Sequence, residues 1–79
     1  MFIKKYRRIK CIHDLISIQL TGSAIHLAKR LQVSTITIYR DIQLIRSLGA
    51  VIQFNKQKKT FEYLTDFNLD LKKVEELCS

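Results

Sequence analysis

The sequence predicts a mainly α domain with one small β-hairpin, and three observations carry that prediction. Up to Gly49 the apolar residues recur at three- and four-residue intervals, the period of helices packed by one face. Beyond Gly49 the period drops to two. The 79 residues contain no proline, and the two glycines, Gly22 and Gly49, punctuate the helical part.

The first helix is expected over residues 6–20. Ile9, Ile12, Ile16 and Leu20 stack on one face, while Cys11, Leu15 and Ile18 form a second strip on the opposite side. A helix apolar on two sides is covered on both, by its own domain or by a partner subunit. Ser23 is an N-cap for a short second helix, Ala24 to Leu31, whose stripe is Leu27, Ala28 and Leu31. Ser34 caps a third helix that runs to about Leu48 and docks through Ile38, Ile42 and Ile45. Gly49 closes it where a left-handed residue is needed. Val51–Phe54 and Thr60–Leu64 read as two strands around a basic tip, Asn55-Lys56-Gln57-Lys58-Lys59. Residues 69–78 read as a last short helix with Leu71, Val74, Leu77 and Cys78 apolar. This order is that of a winged helix-turn-helix. Residues 1–64 form the winged domain, and 65–79 form an acidic, helical tail.

Charge follows the same division. Residues 1–60 hold 12 basic and 2 acidic side chains, a balance of +10, and residues 61–79 hold 2 basic and 5 acidic, a balance of −3. A basic body of this kind suits a polyanion, here double-stranded DNA. In a helix-turn-helix the later helix lies in the major groove and the earlier one braces it. At about 100° per residue from the Ile38/Ile42/Ile45 face, Ile36, Arg40, Gln43 and Ser47 point outward. Thr35, Thr37, Tyr39 and Arg46 flank them.

The N-terminal turns penetrate a groove deepest, which favours Thr35, Ile36, Thr37, Tyr39, Arg40 and Gln43 as DNA contacts. Arginine pairs with guanine O6/N7 or holds a phosphate, glutamine reads adenine, and Ile36 suits a thymine methyl. For Arg40 the competing role is an ion pair with Asp41 or Asp14, and for Tyr39 it is packing at the domain rim. Lys56, Lys58 and Lys59 reach a phosphate or the adjacent minor groove, or they form a solvated turn that blunts a sheet edge. The run Lys4-Lys5-Tyr6-Arg7-Arg8-Lys10 is a backbone-binding arm or the solvated start of the first helix.

Thr21-Gly22-Ser23, Leu27-Ala28, Leu31, Val33-Ser34, Thr37-Ile38-Tyr39-Arg40-Asp41-Ile42 and Gly49 together resemble the DeoR-type winged helix of bacterial transcriptional regulators. The family pattern is roughly LAxxLxVSxxTIxRDIxxL, here with Ile45 in place of the last leucine, and the resemblance covers about residues 6–64. It implies that Ser34, Thr37 and Arg40 lie at the DNA surface and that Asp41 is structural. Three departures stand out. His26 replaces the usual acidic residue early in the second helix, lysines replace glycines at the wing tip, and the family's usual C-terminal sensor domain has no counterpart in these residues. No effector site is therefore expected within them.

Other chemistry is not indicated. Cys11 and Cys78 form neither a CxxC pair nor a metal-ligand cluster, and they read as small apolar residues, with a redox pair between them as the alternative. His13 reads as a partly buried core histidine, and His26 as a surface residue or a phosphate contact. No catalytic triad, carboxylate pair or phosphate-cradling glycine loop is present, so neither enzymatic activity nor a cofactor is expected. The N-terminus lacks a signal-peptide pattern and no run approaches a membrane span, which places the protein in the cytoplasm.

A lone domain of this size makes few base contacts, so a homodimer on repeated half-sites is expected. Its candidate interfaces are Cys11, Leu15 and Ile18, and Leu71, Val74 and Leu77, which alternatively pack within one chain. The leading function is a sequence-specific transcriptional regulator. The alternatives are an excisionase-like accessory factor of a mobile element and a winged-helix protein-interaction module.

Overall fold

A computed structural model describes residues 4–78, with side chains through Glu76. Four helices and one hairpin follow in order: α1 (Lys5–Ser17), α2 (Ala24–Leu31), α3 (Thr35–Ser47), β1 (Ile52–Asn55), β2 (Thr60–Tyr63) and α4 (Leu71–Cys78). The chain is a winged helix-turn-helix with an added C-terminal helix.

The core forms where the helical stripes converge. Ile9, Ile12 and Ile16 of α1, Leu27 of α2, and Ile38, Ile42 and Ile45 of α3 are all fully buried. Ser23 and Ser34 cap α2 and α3, each accepting a backbone N–H at 3.1 Å, from His26 and Thr37 respectively. Gly49 takes the expected positive φ, +107°.

The first helix ends earlier than its pattern suggests. It stops at Ser17 because Gln19 turns left-handed at φ 60°, and the Leu20 N–H bonds back to the Leu15 carbonyl at 2.9 Å. Leu20 therefore leaves the helical face and is exposed. Gln32 does the same work between α2 and α3, at φ 58°. Both stops use glutamine where glycine is the usual choice.

The second strip of α1 is only partly a strip. Leu15 belongs to the core, Cys11 is half-buried and Ile18 is exposed. What covers α1 on its far side is α4, which packs against it and buries Val74 completely. Packing within one chain thus accounts for Leu15 and Val74 and leaves them no surface for a partner. Leu71 stays 37% exposed. The side chains of Leu77 and Cys78 lie outside the described residues, and so does any pairing of Cys78 with Cys11.

The hairpin is antiparallel, with Ile52 opposite Tyr63, Gln53 opposite Glu62, Phe54 opposite Phe61, and Asn55 opposite Thr60. Asn55 is thus the last residue of β1, and the tip shrinks to the four residues 56–59. Leu64 falls just beyond β2, although its N–H still bonds the Val51 carbonyl at 2.9 Å. The tip needs no glycine. The Asn55 Oδ1 accepts the N–H groups of Gln57 and Lys58, both at 3.0 Å, and Lys59 supplies the left-handed position at φ 54°.

The wing is also fastened where β2 leaves the tip. Thr21, in the loop between α1 and α2, and Thr60 of β2 are both fully buried, and their hydroxyls lie 3.0 Å apart. The Thr21 N–H donates to the Thr60 hydroxyl at 3.1 Å, and the Phe61 N–H donates to the Thr21 hydroxyl at 2.9 Å. These bonds satisfy polar groups that burial would otherwise leave unpaired.

On the far side of the hairpin, Tyr63 meets α1. Its hydroxyl lies 2.7 Å from His13 Nδ1, and Phe67 closes over both rings. Burial raises the pKa of the Tyr63 phenol, which stays protonated and can share a hydrogen bond with His13 Nδ1 in either direction, according to the imidazole tautomer. The expected placement of His13 as a partly buried histidine matches this arrangement.

Candidate nucleic-acid interface

The outer face of α3 is built from side chains that find little to bind within the chain. Ile36 is 64% exposed and Tyr39 54% exposed, an unusual amount of apolar surface for one short helix turn. Thr35 and Thr37 are half-buried, and the Thr37 and Ser34 hydroxyls lie 2.9 Å apart, which turns both toward the cap of α3.

Arg40 is exposed and makes no hydrogen bond or ion pair among the described residues. Both carboxylates that compete for it are engaged. Asp41 is 1% exposed and takes two hydrogen bonds from the Arg8 guanidinium, one of them at 3.0 Å from the terminal nitrogen. Asp14 pairs with Lys10 at 2.8 Å. The Arg40 guanidinium therefore has no internal acceptor among the described residues.

The pair also decides between the two roles of the N-terminal basic run for one residue. Arg8 is drawn inward to clamp α1 to α3, and α1 already begins at Lys5. Asp41 is structural, and its partner comes from a stretch that reads as solvated in the sequence.

Gln43 and Arg46 are linked side by side, the guanidinium donating to the Gln43 amide oxygen at 3.2 Å. The other terminal nitrogen of Arg46 donates to the Ile52 carbonyl at 2.9 Å. Arg46 thus joins the last turn of α3 to β1 and fixes where the wing leaves the helix. This tie went unnoticed in the sequence, where Arg46 reads only as a flanking residue.

The three wing lysines are all exposed but not equivalent. The Lys58 ammonium donates to the Gln19 side chain at 3.1 Å, whereas Lys56 and Lys59 make no bond among the described residues. Across the sheet, Glu62 accepts from Gln53 at 3.0 Å and lies within reach of Asn55. These bonds hold its carboxyl below the ordinary carboxylate range. The exposed surface of α2, the outer face of α3 and the wing tip carry no carboxylate.

Two further side chains belong to this face. Phe54 is 37% exposed and His26 is exposed, and both line the gap between the start of α2 and the wing. His26 reads in the sequence as a surface residue or a phosphate contact, whereas Phe54 is not singled out, because the gap is built by residues far apart in the chain. Among the described residues no helix is long and apolar enough to cross a membrane, and no three potential metal ligands converge.

Comparison with known proteins agrees with this geometry. A family model described as an HTH domain matches residues 7–58, from the first turns of α1 to the wing tip. No curated protein and no solved structure matches the chain. The matched segment spans most of the chain and contains both capped helices of the motif, and the protein belongs to the family of helix-turn-helix (HTH) DNA-binding domains.

Proposed function

We propose that the protein is a sequence-specific, double-stranded DNA-binding transcriptional regulator of the DeoR type, with α3 in the major groove. The observation that carries this reading is Arg40. It is an exposed cation on the outward face of α3, held free of internal partners while Asp41 beside it is consumed by Arg8. Ile36, Thr35, Thr37, Tyr39 and Gln43 surround it with groups suited to base edges and thymine methyls, and Ser34 lies at the start of the same helix. Lys56, Lys58 and Lys59 contact the phosphate backbone or the neighbouring minor groove, which makes binding fall with salt.

The protein acts as a homodimer on two half-sites, since one domain makes few base contacts. With Leu15 and Val74 spent in the core, the remaining apolar candidates for the interface are Ile18, Leu71 and the exposed part of Cys11.

Selection of bound sites from random duplex DNA near physiological salt tests the reading. A repeated motif, lost with Arg40→Ala, is the expected result, and its spacing reports the dimer geometry. Recovery of duplex without any motif contradicts sequence-specific regulation. Absence of duplex binding contradicts the DNA reading as a whole and favours a protein-interaction module.

A further inference from the structure

Gln43 and Arg46 stand one turn apart on α3, and both are exposed. The Arg46 guanidinium is held at two points. One terminal nitrogen donates to the Ile52 carbonyl at 2.9 Å, at the start of β1, and the other donates to the Gln43 side chain at 3.2 Å. A guanidinium carries donors only, so the Gln43 atom that it meets is the amide oxygen, Oε1. The Gln43 amide nitrogen has no partner among the described residues.

This pairing decides what Gln43 can offer a base. A glutamine reads adenine with both arms of its carboxamide, the oxygen accepting from N6 and the nitrogen donating to N7. Here the oxygen is turned toward Arg46, and the arm left over is the –NH2 group, which only donates. Charge acts in the same direction. A cation 3.2 Å from the oxygen repels the amino group that adenine or cytosine would bring there, and it attracts a keto oxygen. The bond to Ile52 keeps the guanidinium in place, and no carboxylate on the outer face of α3 competes for it.

Resting on the reading that α3 enters a major groove, we infer that Gln43 is a donor-only reader that specifies guanine rather than adenine, with Arg46 as the positioning residue that sets this preference. Guanine is the base whose major-groove edge presents two acceptors, O6 and N7, side by side. The –NH2 group of Gln43 donates to them. Residue type alone would pair glutamine with adenine. The specificity of α3 is thus set partly by β1, through a side chain that need not touch a base.

Site selection from random duplex DNA, run with the wild type and three variants, tests this. The selected duplex, carrying guanine or adenine at the position that depends on Gln43, is then titrated by fluorescence anisotropy. The wild-type motif should hold guanine there, and adenine should bind about tenfold more weakly. Gln43→Ala should lose the preference at that position alone. Arg46→Met frees the amide oxygen and should move the preference to adenine. Gln43→Glu leaves the bond between Arg46 and Ile52 available and presents acceptors only, so it should move the preference to cytosine, whose N4 amino group donates. That variant keeps the test decisive even where Arg46→Met does not fold.

Any base other than guanine at the Gln43-dependent position of the wild-type motif overturns the inference, as does guanine kept there by Gln43→Glu. A motif that Arg40→Ala abolishes but Gln43→Ala leaves unchanged also overturns it, and the DNA reading then stands without it. Guanine that survives Gln43→Ala and disappears with Arg46→Met is read by Arg46 itself, which again contradicts a positioning role. If no duplex yields a motif, the reading of α3 as a major-groove helix fails, and this inference fails with it.

Discussion

The inner and outer faces of α3 use similar residues for opposite ends. Inside, Ile38, Ile42 and Ile45 are buried against α1 and α2, and Asp41 is fastened to Arg8. Outside, Ile36 lies open to solvent and Arg40 has no partner. Positions 40 and 41 are adjacent in sequence, about 100° apart on the helix, and opposite in charge. Asp41 is paired inside the fold, and Arg40 is exposed without an internal partner among the described residues. The comparison teaches that charge type says little about role here, and that the presence of an internal partner says a great deal.

Substitutions that separate the two faces test that lesson. The largest effect is expected from Asp41→Ala, which removes the buried carboxylate that holds the Arg8 guanidinium between α1 and α3. Removing one member of a buried pair costs about 3–5 kcal/mol, enough to unfold a domain this small, and thermal melts read it. An Arg8→Met, Asp41→Leu double variant should recover most of that loss, because two apolar groups need no partner.

Arg40→Ala should do the reverse. It should weaken specific DNA binding by about 1–3 kcal/mol, measured by fluorescence anisotropy, and leave stability within about 0.5 kcal/mol of wild type. A melt lowered as far as that of Asp41→Ala would erase the distinction between the faces.

Where β2 leaves the wing tip, Thr60→Val leaves the Thr21 N–H buried without an acceptor and should cost about 1–3 kcal/mol by urea titration. Ser23→Ala removes the cap of α2 and should cost about 1 kcal/mol in the same assay.

The smallest effect should come from mild acid. Burial lowers the pKa of His13 below its ordinary 6.5; the charge of Asp14 opposes this shift and that of Lys10 adds to it. The unfolded chain takes up the proton before the folded one, so stability should decline as pH falls through 6.5 toward the lowered value and level off about one unit or more above 6.5. His13→Phe should flatten that segment of the profile.

The four helices, the hairpin and the outward direction of Arg40 were legible because each depends on local periodicity. The core positions Ile38, Ile42 and Ile45 and the caps Ser23 and Ser34 follow from the same patterns. The misses share a different cause. Helix α1 looked longer because its stop uses a left-handed Gln19, and glutamine carries no stop signal. The wing tip seemed to lack its turn residues because an asparagine side chain and a left-handed lysine replace them.

For Leu15 and Val74 the sequence leaves a partner interface and packing within one chain open, because nothing in either segment says that α4 folds back on α1. The Thr21–Thr60 contact joins residues 39 apart that each read as polar loop or strand residues. Asp41 was recognisable as structural by resemblance, yet its partner Arg8 sits in a run that looks solvated. Pairing across the fold is what sequence patterns conceal.

The buried threonines near the wing tip carry a consequence for the length of a recognition site. They tie the hairpin to the loop that precedes α2, and Arg46 ties its other end to α3. The hairpin therefore cannot swing independently of the recognition helix. In the proposed DNA complex, the number of base pairs between the contacts of α3 and those of the hairpin should then be a fixed ruler, set by two hydroxyls and one guanidinium. Changes at Thr21, Thr60 or Arg46 should alter the tolerated spacing of a site, while changes at Arg40 alter which bases it contains.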